Sequence, residues 1–156
     1  MKEQNTLIKI DVKAGHLTYG QRIELGDLFA SEKSDTEKFN ETFRIMHDIT
    51  PDFSNPEEMK IYSQYYKEII DGLVFWFEKE KHLLDYQPEP EEIRAGIKEL
   101  SAKTGYYGTI KAIAKNYAKD PDEILQWKYG KIFGILYSDL EELKYSKRLR
   151  KQYEKK

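Results

Sequence analysis

Asn55-Pro56-Glu57-Glu58 opens the longest helical pattern in the chain, and that pattern constrains how everything else can pack. Asn55 supplies an N-cap oxygen, Pro56 at the first helical position already holds a helical φ and has no N–H to lose, and Glu58 can reach back to the cap. From there to about Leu84, Tyr62, Tyr65, Tyr66, Ile69, Ile70, Leu73, Trp76, Phe77 and Leu84 lie near one broad apolar stripe. At Val74 and Phe75 the apolar surface wraps most of the circumference, so this helix is expected to be the central element of the core, the other reading being an oligomer contact. In a chain of 156 residues, one such helix leaves room for a single domain or two small subdomains.

The flanking sequence supplies the packing partners. Thr18 with Gln21, and Ser34 with Glu37, are capping-box signals that start helices near Tyr19 and Asp35; Pro51 ends the second of them. Gln87-Pro88-Glu89-Pro90 breaks the chain and is its one plausible internal boundary. Beyond it, Glu91 to Lys103 reads as one helix closed by Thr104-Gly105, Gly108 to Tyr117 as the next, Asp120-Pro121-Asp122-Glu123 as the start of a third, and Tyr129 onward as an amphipathic last helix. Thr6 to Val12 alternates like a short strand ending at Ala14-Gly15. The expected fold is therefore mainly α, a compact bundle of about six to seven helices with a short N-terminal β element. It divides into an N-terminal part, 1–87, and a C-terminal part with a basic tail, 88–156, or forms one continuous domain.

Charge and composition narrow the function. Formal net charge is −2, yet the segment Lys144 to Lys156 holds seven basic residues against one acid, leaving 19 basic against 27 acidic residues before it. The basic end reads as a solvated helix face that complements the helix dipole. With no cysteine, disulfides, thiolate metal sites and cysteine nucleophiles are excluded together, and a cytoplasmic setting is expected. Met1 to Val12 is too interrupted by charge for a signal-peptide core, and the longest apolar run, Leu73 to Phe77, is far below the roughly 18 residues of a membrane span, so no membrane association is expected.

Catalytic patterns are near misses. Gly15 to Arg22 has the glycine spacing of a phosphate loop, but Gln21 stands where the lysine belongs and Arg22 where a hydroxyl should hold magnesium. His16, His47 and His82 are far apart, and Glu78 with His82 reads as an ordinary helix-face pair. No enzyme activity, cofactor or metal is expected. The stretch from Ile110 through Trp127 has the outline of a helix-turn-helix, but Asp122 and Glu123 at the start of its second helix would repel the DNA backbone. A DNA-binding regulator remains the alternative, with nucleic acid disfavoured as a partner.

Two segments carry a family resemblance. Gly108 to Lys115, then Asp120-Pro121-Asp122-Glu123-Ile124-Leu125-Gln126-Trp127, then Tyr129 to Tyr137, resemble the closing region of tail-assembly chaperones of long-tailed phages and prophages. The order is a small-residue helix, an acidic proline-capped turn, a tryptophan, and an apolar helix that turns charged. Leu17 to Gly26 is similar to an opening motif in phage proteins of this sort. The resemblance implies a non-virion helper that self-associates and coats the tape-measure protein, keeping its apolar helices from aggregating while the tail is built; another phage structural or adaptor protein is a further alternative. Trp127, Tyr129, Phe133 and Tyr137 are the candidate partner-binding residues, since amphipathic aromatics on the last helices suit a helix-in-groove contact. Each of the four is equally compatible with the core, with Trp127 or Tyr129 expected at its edge.

Overall fold

The computed structural model describes residues 12–154. The expected strand over Thr6 to Val12 lies outside them except for Val12, which packs partly buried against the core. Among the described residues there is no strand, and the chain forms seven α-helices after a short 3-10 turn, Ala14–His16. They are α1 (Tyr19–Ala30), α2 (Asp35–His47), α3 (Pro56–Leu83), α4 (Pro90–Arg94), α5 (Ile97–Tyr117), α6 (Pro121–Leu125) and α7 (Tyr129–Tyr153).

Local chemistry sets most of the boundaries. Thr18 and Ser34 each accept from the N3 amide while Gln21 and Glu37 return a bond to the cap, so α1 and α2 begin where their capping boxes sit. Asn55 accepts from the amides of Glu57 and Glu58. Asp48, in the left-handed conformation, ends α2 before Pro51. One helix departs from the expected pattern. Glu91 to Lys103 is broken at Gly96, whose φ of 87° ends α4 and starts α5, and the expected stop at Gly105 is a kink inside α5, at φ 49° and ψ −138°.

Two apolar clusters form the core. The first gathers Leu25 and Leu28 of α1, Phe43 and Met46 of α2, and Tyr62, Ile69 and Leu73 of α3, under the turn that carries Ala14 and Leu17. Phe43 sits edge-on to Tyr62, with centroids 5.0 Å apart. Gly72 lets the turn approach α3 closely: a Cβ there would lie 3.0 Å from the Ala14 Cβ. The second cluster joins Ile110, Ile113 and Ala114 of α5, Ile124 of α6, and Tyr129, Ile132 and Phe133 of α7 to Tyr19 of α1. Trp76 packs against both clusters. Residues from before the Gln87-Pro88 break thus complete the core of the segment after it.

Helix α3 is about 42 Å long at the usual rise, and it is not covered all round. Ile69 and Leu73 are buried, but Val74 and Phe75 are 52% and 54% exposed, because the other helices pack against one side of α3 only. The expectation that the widest apolar part of this helix is core is corrected for these two residues.

Candidate protein-binding surface

A backbone clasp brings together the segment before α1 and the segment before α7. The Tyr19 amide donates to the Trp127 carbonyl at 2.8 Å and the Tyr129 amide to the Leu17 carbonyl at 2.7 Å, an isolated antiparallel bridge centred on Thr18 and Lys128. The clasp satisfies backbone groups at the start of both α1 and α7, neither of which otherwise has a regular sheet partner.

Under the clasp lies a charged junction that no local sequence signal marks. Arg22 of α1, only 6% exposed, donates through Nε and Nη2 to the Glu80 carboxylate of α3 at 3.0 and 2.6 Å. The Tyr129 hydroxyl donates to the same carboxylate. The Arg22 guanidinium also lies over the Phe77 ring, 4.3 Å from its centroid. Burial works against the charge on Arg22, but the bonds and charge of Glu80 outweigh it, and the pKa of Arg22 is raised. Burial likewise pushes the Tyr19 hydroxyl up to about 12, helped by Tyr106 and Glu80 against an opposing Arg22. The Tyr129 hydroxyl is raised as well, by burial first and then by its bond to Glu80.

The near-miss phosphate loop is occupied by structural work. Gln21 closes the cap of α1 and donates through Nε2 to the Ile45 and Met46 carbonyls at 3.0 and 3.2 Å, tying α1 to the end of α2. Arg22 is held by Glu80, so neither residue points to a phosphate. Glu78 and His82 meet at 3.5 Å on an exposed helix face. Among the described residues no group of three or more His, Asp or Glu side chains is arranged to hold a metal ion, and no helix is long and apolar enough to cross a membrane.

The four candidate aromatics divide by burial. Tyr129 is 3% exposed and Phe133 is 8% exposed, and both are core residues packed edge-on against Trp76. Trp127 is half-buried at the edge of the second cluster, with Tyr117 edge-on to it and the Lys131 ammonium 3.3 Å from its ring centroid. Tyr137 is 40% exposed and stacks on Phe133, with centroids 6.4 Å apart. Of the pair expected at the core edge, Trp127 is there and Tyr129 is interior. The acidic turn is compact: α6 is five residues long, with Asp120, Asp122 and Glu123 around its start.

Further apolar side chains stand in solvent at positions the sequence did not single out as partner-facing. They include Tyr107 and Tyr117 of α5 and Leu143, Tyr145 and Leu149 of α7. A second outlying feature is a salt-bridged contact: Lys147 of α7 donates to the Tyr86 hydroxyl at 2.6 Å and to Glu92 at 3.2 Å, and Lys151 meets Glu89 at 3.3 Å. Hydrogen bonding from Tyr86, then from the Glu89 amide and Lys147, holds the Glu92 carboxyl down to about 2. In comparison with known proteins, no family model, curated sequence or solved structure matches the chain.

Proposed function

We propose that this chain is a non-enzymatic phage tail-assembly chaperone that binds apolar helical segments of a tape-measure protein in the host cytoplasm and associates with itself. One observation supports the reading: the region from Gly108 to Tyr137 has its aromatic residues divided between an interior set, Tyr129 and Phe133, and a less buried set, the core-edge Trp127 and the more exposed Tyr137. The interior pair fixes the backbone of α7, and the less buried pair presents broad amphipathic rings at low conformational cost. Trp127 is further steadied by Tyr117 and Lys131. A helix with an apolar stripe can lie against such a face without ordering any flexible segment of this chain.

Co-expression with a tape-measure protein tests the proposal. The expected result is that the two co-purify and that the tape-measure protein becomes more soluble. Replacing Trp127 and Tyr137 together by alanine should abolish both effects while the variant stays folded. Failure of the unmodified chain to co-purify or to improve solubility would sink the proposal.

A further inference from the structure

Residues 85–107 contain no buried side chain, in contrast to the cores on either side of them. They comprise the tether after α3, all of α4, and the first half of α5 with its kink. Ile93 and Leu100 stand about half exposed on this arm. Two left-handed glycines punctuate it, Gly96 and Gly105. At Gly105 there is helix on both sides, and nothing lies within 4 Å of the place a Cβ would occupy. Turning that single residue to helical φ and ψ fuses both halves of α5 into one straight helix and swings Ile97–Thr104 away from the body. With α4 kept intact, the stretch from Leu84 to Pro90 can span roughly 20 Å when extended, so the opened arm stays connected.

The contacts that join the arm to α7 include polar ones partly open to solvent. Glu92 and Glu89 on the arm meet Lys147 and Lys151 on α7, and Tyr86 lies between, its hydroxyl donating to Glu92 and accepting from Lys147. The Lys147 ammonium also sits over the Tyr86 ring at 4.7 Å. Contacts of this kind are screened by water and salt and hold a segment loosely. The charge pattern is complementary: the arm brings Glu89, Glu91 and Glu92, and the facing stretch of α7 brings Lys144, Lys147, Arg148 and Lys151. A surface that matches its own neighbour so specifically is matched equally by the same neighbour in another copy.

We infer that Gly105 is a hinge and that the 85–104 arm exchanges with a second copy of this chain. Glu92 and Tyr86 of each copy then clasp Lys147 of the other, and Glu89 meets Lys151, in a two-fold symmetric dimer. The inference gives a structural form to the self-association proposed above but is argued from the arm and its clasp alone, whereas the tail-assembly reading is tested separately by capture of a different protein.

Charge reversal in the full-length chain separates exchange from a merely loose arm. Lys147→Glu and Glu92→Lys are purified separately, examined by light scattering, and then mixed. Each variant alone loses the clasp in every arrangement, whereas an exchanged mixed dimer restores both oppositely charged pairs. The expected result is at least tenfold more dimer in the mixture than in either variant alone. Gly105→Ala gives an independent reading, because a Cβ disfavours the left-handed conformation and favours a straight helix; it should raise the dimer fraction about tenfold over the unmodified chain. A mixture and a Gly105→Ala variant that both stay monomeric at every concentration overturn the inference. Dimers that persist undiminished in each single charge-reversal variant overturn it too.

Discussion

Arg22 and Glu80 are 58 residues apart in sequence and meet through two parallel hydrogen bonds, which pin α1 to α3 beneath the start of α7. Tyr129 completes the junction by donating to the same carboxylate. Each partner is satisfied only because the others are present. Arg22→Ala leaves the Glu80 carboxylate in a partly apolar site and should destabilise the fold by about 2–3 kcal/mol, below the full cost of breaking a buried pair because the Glu80 side chain keeps 23% exposure. The midpoint of urea unfolding measures this, and an unchanged midpoint would show that the pair is not structural.

Tyr129→Phe removes the hydroxyl and leaves the ring, which packs edge-on against Trp76. The expected loss is about 1.5–3 kcal/mol, the usual range for a hydrogen bond to a charged acceptor. Tyr129→Ala should cost more, about 3–5 kcal/mol, since it also opens a cavity in the second core cluster. Comparison of the two variants separates the bond from the packing.

Alkaline pH should unfold the chain through its buried tyrosines. Tyr19 has its pKa raised from 10.0 to about 12, so the folded state holds the proton that the unfolded chain gives up first. This contribution is fully present below pH 10 and is lost as pH rises to about 12. Thermal melting across that range should show a falling midpoint, and Tyr19→Phe should flatten the fall. Tyr129 adds to the effect in the same direction.

Acid should weaken the clasp that holds the arm. The Glu92 carboxyl is held down from 4.5 to about 2 by Tyr86, the Glu89 amide and Lys147, with Lys151 paired to the neighbouring Glu89. A depressed carboxyl pKa stabilises above the unfolded value, so the clasp is intact above pH 4.5 and is lost as pH falls toward 2. Carbon NMR of the Glu92 carboxyl should show that titration directly, and Lys147→Met should move it upward.

Two substitutions on α7 distinguish surface from core. Tyr137→Ala should cost only about 1 kcal/mol, the loss of its stacking on Phe133 at a 40% exposed position, while weakening capture of a tape-measure protein. Phe133→Ala removes a buried ring and should cost about 3–5 kcal/mol. Equal stability losses at the two positions would contradict their different burial.

Helix boundaries were legible where a cap is written into adjacent residues. Thr18 with Gln21, Ser34 with Glu37, Asn55 before Pro56, and Asp120 before Pro121 all act within one turn, and all start helices as expected. Gly96 was harder to read because a glycine inside a helical pattern is compatible with either continuation or a break, and only the left-handed φ decides. The Arg22, Glu80 and Tyr129 junction has no sequence signature, since its members are brought together by the packing of three helices. Burial of the aromatics failed to follow from spacing for the same reason. Val74 and Phe75 share the helix of Leu73 and Trp76, and which side is covered depends on where the neighbouring helices lie.

The clasp between Leu17-Thr18-Tyr19 and Trp127-Lys128-Tyr129 also orders events in time. It closes a ring of about 110 residues, for which the chain-length part of the closure entropy is roughly 4 kcal/mol. During synthesis the start of α1 waits for its backbone partners until the first turn of α7 has left the ribosome. A nascent chain that stops short of Trp127 lacks the carbonyl that receives the Tyr19 amide, so the start of α1 is completed by residues translated well after it.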